Sequence, residues 1–167
     1  MKNIFLIGFM GCGKSTVAAG LSAKYGMDIV EMDQIIVERE GMSISDIFAQ
    51  KGELYFRDVE TQLLIEIQSE NNKVVSCGGG VAMRKQNVEA MRKGGCVVLL
   101  TANPETILER VKDDNSRPLL QGNKNIDFIN EMLEKRRAKY ESAADIVIQT
   151  DEKRIDDICE EIITQIS

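Results

Sequence analysis

No histidine occurs in this 167-residue chain, and its four cysteines, Cys12, Cys77, Cys96 and Cys159, are nowhere spaced as C-x-x-C. A structural zinc site is left with few ligands, and free thiols in a reducing compartment are the simpler reading. Long apolar runs are missing as well. The N-terminus offers one lysine and the run Ile4–Ile7, which breaks at Gly8 and is too short for a secretory leader or a membrane span. The expectation is therefore a cytoplasmic protein without a membrane partner. Positive charge is in deficit, with 21 Lys and Arg against 27 Asp and Glu and a formal net charge of −6. That balance argues against broad electrostatic attachment to nucleic acid or to an anionic membrane. Any anionic ligand must be gripped by cations placed locally for it.

Hydrophobic residues make up 43% of the chain, enough to build one sizeable core, and the expectation is one globular domain over residues 1–167. Short apolar runs alternate with longer helical patterns. Ile4–Ile7, Ile29–Met32, Val74–Cys77, Cys96–Leu100 and Ile146–Ile148 are the strand candidates, and their alternation with helices predicts a parallel α/β sheet. In the first helix Val17, Ala18, Leu21 and Tyr25 share a face, and Gly26 supplies the stop. Asn103 and Pro104 form an N-cap and N1 pair, and Ser43–Asp46 (SISD) has the form of a capping box. The segment 113–125, DDNSRPLLQGNKN, lacks periodicity and is a loop long enough to need a functional reason.

The stretch GFMGCGKST at 8–16 fits G-x-x-x-x-G-K-[ST], with a strand candidate before it and a helix after it. A chance match in a chain of this length has odds of about one in two hundred before that context is counted. The glycines let successive N–H groups curl around an anion without Cβ clashes, and the helix N-terminus adds partial positive charge. Lys14 supplies a full charge to phosphates and Ser15 a hydroxyl to Mg²⁺. Cys12, inside the loop, is either a thiol open to reagents or an inert small residue.

In open α/β sheets ligands bind beyond the C-terminal strand ends, so the residues after each strand are informative. After the second strand, Glu31 and Asp33 have the spacing of two acids on one side of an extended chain, or form a solvated strand end with Asp33 starting a helix. After the third, Gly78, Gly79 and Gly80 are either a strand end stripped for the approach of another molecule or a plain turn. On the helix NIDFINEMLEKRRAKY, Ile129, Leu133 and Tyr140 form an apolar stripe whose missing step is Arg136. That arginine either snorkels to water or points into a cleft toward an anionic group. Arg57 and Glu60, three residues apart on a helix, have the spacing of an ion pair.

Taken together, GFMGCGKST at 8–16, Asp33 after the second strand, GMSISDIF at 41–48, GELYFRDVE at 52–60, CGGG at 77–80, SRPLL at 116–120 and KRRAKY at 135–140 resemble the shikimate kinase family along essentially the whole chain. The resemblance implies a three-layer α/β/α, nucleoside-monophosphate-kinase-like P-loop fold with a five-stranded parallel sheet of order 2-3-1-4-5 and a mobile lid at 113–125. It implies transfer of the γ-phosphoryl of ATP, with Mg²⁺, to the 3-hydroxyl of shikimate in the route to chorismate. ATP is then expected at Gly11, Cys12, Gly13, Lys14, Ser15, Thr16, Arg110 and Arg117, the last being the lid arginine. Shikimate is expected at Asp33, Arg57, Gly78, Gly79, Gly80 and Arg136, with the two arginines on its carboxylate, Glu60 orienting Arg57, and Asp33 taking the hydroxyl proton. Lys14, Asp33 and Arg117 are the implied catalytic set, Ser15 and Glu31 the metal set, and a monomer the implied state.

Two positions depart from the family pattern. Glu31 stands where the family commonly has Asp, and Ile155 stands where a proline is expected to face Arg110 across adenine. Rival readings are another small-molecule kinase on this scaffold, acting on gluconate or a nucleoside monophosphate, and an idle nucleotide-binding module.

Overall fold

The computed structural model describes residues 1–9, 11–111 and 126–166; the loop predicted at 113–125, with Arg117, lies outside the described residues. The chain begins with β1 (Asn3–Ile7), α1 (Lys14–Tyr25) and β2 (Asp28–Glu31), then runs through α2 (Met32–Glu40), α3 (Ile44–Lys51) and α4 (Glu53–Ile67). Next come β3 (Lys73–Ser76), a single 3₁₀ turn (Val81–Met83), α5 (Lys85–Gly94), β4 (Gly95–Thr101) and α6 (Pro104–Val111). The rest is α7 (Ile126–Ala143), β5 (Ile146–Gln149) and α8 (Ile155–Ile166).

All strand pairs are parallel and the sheet order is β2-β3-β1-β4-β5, as expected from the sequence. Each predicted strand is present, within one or two residues at either end. Met32 belongs to α2 because the chain enters that helix directly after Glu31, and Cys77 lies just past β3. Position in the sheet explains the burial patterns. Central β1 is buried at all five positions, so its apolar run is continuous, whereas edge strand β5 alternates, with Ile146 and Ile148 inward and Val147 outward. Burial of each large β1 side chain contributes about 1.5–3 kcal/mol. Buried Asn3 is fully engaged: its amide nitrogen donates to the Ile67 and Glu70 carbonyls at 3.3 and 2.9 Å, and its oxygen accepts from Lys73 N–H at 2.9 Å. That side chain ties the end of α4 to the start of β3.

Helices cover both faces of the sheet, α1 and α8 together on one and α4, α5 and α7 on the other. The predicted helix ends fall where the sequence puts them. Gly26 is left-handed (φ 71°) at the end of α1, Ser43 Oγ accepts Asp46 N–H at 3.1 Å, and α6 starts at Pro104 behind Asn103. Asp33 is not an N-cap; Glu31 holds that position, and Asp33 lies in the first turn of α2. Because every strand runs the same way, the phosphate loop, Glu31 to Asp33 and Cys77 to Gly80 emerge along one edge of the sheet.

The α1–α8 contact depends on one missing methyl group. A Cβ on Gly20 would fall 2.8 Å from both Cys159 Sγ and Ile155 Cγ2. Gly→Ala in a helix interior ordinarily gains about 1 kcal/mol, but overpacking costs about 1–3 kcal/mol, so the clash outweighs the gain. Gly20→Ala should lower the melting temperature; a rise would show that the two helices part without cost.

Candidate active site

The phosphate loop is built on backbone torsions that side chains resist. Gly8, Gly11 and Gly13 have φ of 143°, 85° and 90°. Gly13 caps α1, whose first helical bond from a following residue is Val17 N–H to the Gly13 carbonyl at 2.9 Å, so the first turn presents its amides at the strand tips. Lys14 curls over the loop and donates to the Gly8 and Phe9 carbonyls at 2.6 and 3.2 Å. Arg110, on α6, fastens the other side by donating to the Gly11 carbonyl at 2.7 Å and to Thr150 Oγ1 at 3.4 Å. Ile155 packs against Gly20 of α1. Cys12 is 1% exposed, and burial pushes its thiol up against the pull of Lys14 and Arg110, so of its two readings the inert packing residue is the one realised.

Ser15 Oγ donates to Glu31 Oε2 at 3.1 Å. A hydroxyl beside a carboxylate at the head of α1 is a hard-oxygen pair, and it fits Mg²⁺, which keeps several waters and takes its other ligands from phosphates. Among the described residues no cluster of three His, Cys, Asp or Glu could hold a metal by itself. The Glu31 side chain reaches Ser15 from the end of β2.

One cavity of about 350 Å³ runs from the loop across the strand tips. Gly11, Gly13, Lys14, Ser15, Thr16 and Arg110 line it on the phosphate side, and Asp33, Arg57, Glu60, Gly78 to Gly80 and Arg136 on the other. Arg57 and Arg136, 79 residues apart in sequence, thus face the same space.

The two arginines are held differently. Arg57 donates to Glu60 Oε1 at 2.9 Å and to Glu53 Oε2 at 3.2 Å, with its guanidinium carbon 5.3 and 5.9 Å from the Phe56 and Phe48 ring centroids. Arg136 is 8% exposed and has no carboxylate partner among the described residues. Its guanidinium lies 5.7 Å from the Phe9 ring centroid and 3.5 Å from Tyr140 Oη, which donates to the Gly79 carbonyl at 2.7 Å. The stripe position therefore turns inward and does not snorkel, while neighbouring Arg137 is exposed. Removing one partner of a buried charge pair costs about 3–5 kcal/mol, so an enclosed cation is a strong call for an anion.

The glycine triplet has a reason beyond the approach of a ligand. A Cβ on Gly80 would meet Arg57 Nη1 at 2.5 Å, and one on Gly78 would meet Glu60 Oε2 at 2.6 Å and Asp33 Oδ1 at 3.2 Å. The missing side chains leave room for the protein's own arginine and carboxylates. Phe9 carried no signal as a site residue in sequence, and Glu53 and Tyr140 were not read as site residues. Glu53 could have been found from its i,i+4 spacing to Arg57, and Tyr140 from its i,i+4 spacing to Arg136.

The fold and this phosphate loop define a P-loop kinase of the nucleoside-monophosphate-kinase-like class. A shikimate kinase family model matches residues 10–167. The chain is 45% identical to a shikimate kinase of Sulfurihydrogenibium sp. (strain YO3AOP1) over 99% of its own length and 98% of that relative. A solved structure of shikimate kinase from Acinetobacter baumannii, in complex with shikimate, superposes with a TM-score of 0.94 at 33% identity, covering 99% of this chain and 93% of that one. The chain belongs to the shikimate kinase family. A gluconokinase from Sinorhizobium meliloti 1021, at 18% identity with a TM-score of 0.59 over 99% of this chain and 91% of that one, shares the fold alone.

Glu60 is fully enclosed, and its Oε2 has no hydrogen-bond partner among the described residues. Burial pushes its carboxyl up from 4.5 to about 7; Arg57 pulls it down, and the nearby Asp33 charge adds to the rise. The 2.9 Å contact with Arg57, which also pairs with Glu53, lowers the carboxyl by less than burial raises it. A carboxyl with a raised folded pKa holds its proton more tightly when folded, so its contribution to stability is complete below pH 4.5 and is lost as pH rises through about 7. The melting temperature of Glu60→Gln minus that of the parent should therefore increase with pH across this window. Parallel curves would remove the shift.

Proposed function

We propose that this chain transfers the γ-phosphoryl group of ATP to the 3-hydroxyl of shikimate, releasing ADP and shikimate 3-phosphate. The observation that carries the reading is the enclosed Arg136, a cation without a carboxylate partner among the described residues, in the same cavity as the phosphate loop.

The triphosphate lies on the amides of Gly11, Cys12, Gly13, Ser15 and Thr16, with Lys14 turning from the Gly8 and Phe9 carbonyls to the phosphates. Arg110 lies along the nucleotide from the α6 side. Ser15 and Glu31 hold Mg²⁺, which when bound neutralises charge on the phosphate oxygens. At the other end Arg136 and Arg57 take the acceptor carboxylate. A planar guanidinium matches a carboxylate with paired hydrogen bonds, and two of them fix the ring so that one hydroxyl faces the γ-phosphate. Asp33 accepts from the ring hydroxyls and receives the proton of the attacking one. Gly78, Gly79 and Gly80 form the floor, with Glu60 steering Arg57. Positioning accounts for most of the rate, because phosphoryl transfer asks for little covalent chemistry from the protein.

The same reading includes a lid at 113–125 that brings Arg117 to the ATP phosphates and excludes water, which competes for the γ-phosphate. It also has the enzyme working as a cytoplasmic monomer without a nucleic-acid or membrane partner. The net charge of −6 supports the absence of anionic macromolecular partners, and among the described residues no helix is long and apolar enough to cross a membrane.

ADP release measured with shikimate, gluconate, AMP and CMP tests the reading. Shikimate alone should support turnover; turnover with another acceptor, or nucleotide binding with none, contradicts it. Arg136→Ala should raise KM for shikimate by about 30-fold or more and leave KM for ATP near the parent value. Equal effects on both would remove Arg136 from the acceptor site.

A further inference from the structure

Phe9 touches both halves of the site. Its ring is 1% exposed and carries the Arg136 guanidinium, 5.7 Å from carbon to centroid. Its carbonyl accepts from Lys14 Nζ and from Cys12 N–H, each at 3.2 Å. One residue of the phosphate loop therefore meets the phosphate-binding lysine through its backbone and the acceptor arginine through its side chain.

The chemistry of that contact suits an arginine that must stay available. A carboxylate partner would position Arg136 but also neutralise it, and would compete with an incoming anion. An aliphatic side chain would fill the space without attracting the cation. An aromatic face attracts the guanidinium in a dry site while leaving its in-plane N–H donors for a ligand. Tyr140 completes the seat from the other side, its hydroxyl 3.5 Å from Arg136 Nη1 and anchored on the Gly79 carbonyl at 2.7 Å.

We propose that Phe9 is a positioning residue that seats Arg136 for the acceptor carboxylate and couples acceptor affinity to nucleotide occupancy of the loop. The proposal rests on the reading that Arg136 binds the acceptor. When Lys14 turns to phosphates it leaves the Phe9 carbonyl, and the backbone that carries the ring is released at that moment. The ring passes the adjustment to Arg136. Such coupling is reciprocal, so shikimate alters ADP affinity by the same factor as ADP alters shikimate affinity.

Calorimetric titration of shikimate into the full chain, with and without saturating Mg²⁺–ADP, tests this in the parent, Phe9→Leu and Phe9→Met. Both variants keep an apolar filling of similar volume, and Phe9→Met serves where Phe9→Leu folds poorly. The expected result is a shikimate Kd raised about 2- to 30-fold without nucleotide. ADP affinity should stay near the parent value, since the carbonyl is retained, and the effect of ADP on shikimate Kd should shrink toward none. In an Arg136→Ala background the Phe9 substitution should add no further loss in KM for shikimate, because it acts through that arginine. Parent-like shikimate binding and nucleotide response in both variants would overturn the proposal, as would a full additional loss in the Arg136→Ala background. A parent shikimate Kd that ADP leaves unchanged would remove the coupling. A parent that binds ADP and not shikimate would instead overturn the functional reading, and is distinguished by that result.

Discussion

A guanidinium enclosed to 8% exposure without a carboxylate partner among the described residues is the constraint on which the rest of the site depends. Burying an unpaired ion costs several kcal/mol even after relaxation, and a fold keeps one only where neighbours or a ligand offset the loss of water. Here the neighbours are an aromatic ring and a phenol, which steady Arg136 and leave its charge in place. Arg57, a comparable cation in the same cavity, is instead braced by Glu53 and Glu60. One arginine is thus fixed by carboxylates, and the other keeps its charge without a carboxylate partner among the described residues.

The carboxylates around Gly78 follow from the same economy of space. Glu60 and Asp33 approach one another over a residue with no side chain, and enclosure raises the Glu60 carboxyl to about 7. The glycine triplet, the raised carboxyl and the twofold bracing of Arg57 are therefore parts of one arrangement. On the nucleotide side Lys14 holds the Gly8 and Phe9 carbonyls of the loop and Arg110 the Gly11 carbonyl.

Much of this was legible in sequence because the relevant signals are local. The phosphate loop is a contiguous pattern between a strand and a helix, and β1, buried on both faces, reads as an unbroken apolar run. The inward turn of Arg136 was visible as a break in the stripe of Ile129, Leu133 and Tyr140, although periodicity alone could not separate a cleft from a snorkelling side chain. What stayed hidden depends on tertiary contact. Nothing near Phe9 in the chain reveals that Arg136 lies over its ring, and nothing near Gly80 reveals that Arg57 fills the space of its missing Cβ. Asp33 does start a helix, in the first turn of α2, because Glu31 ends the strand and begins the turn at once.

The most direct measurement compares kcat/KM for shikimate with that for its neutral carboxamide, in which the ring hydroxyls are unchanged and only the negative charge is gone. With the two guanidinium groups proposed to grip that charge, the amide should fall by about 10²-fold or more while KM for ATP holds. An amide phosphorylated as readily as the acid would contradict the account, because the enclosed arginine would then serve something other than the acceptor.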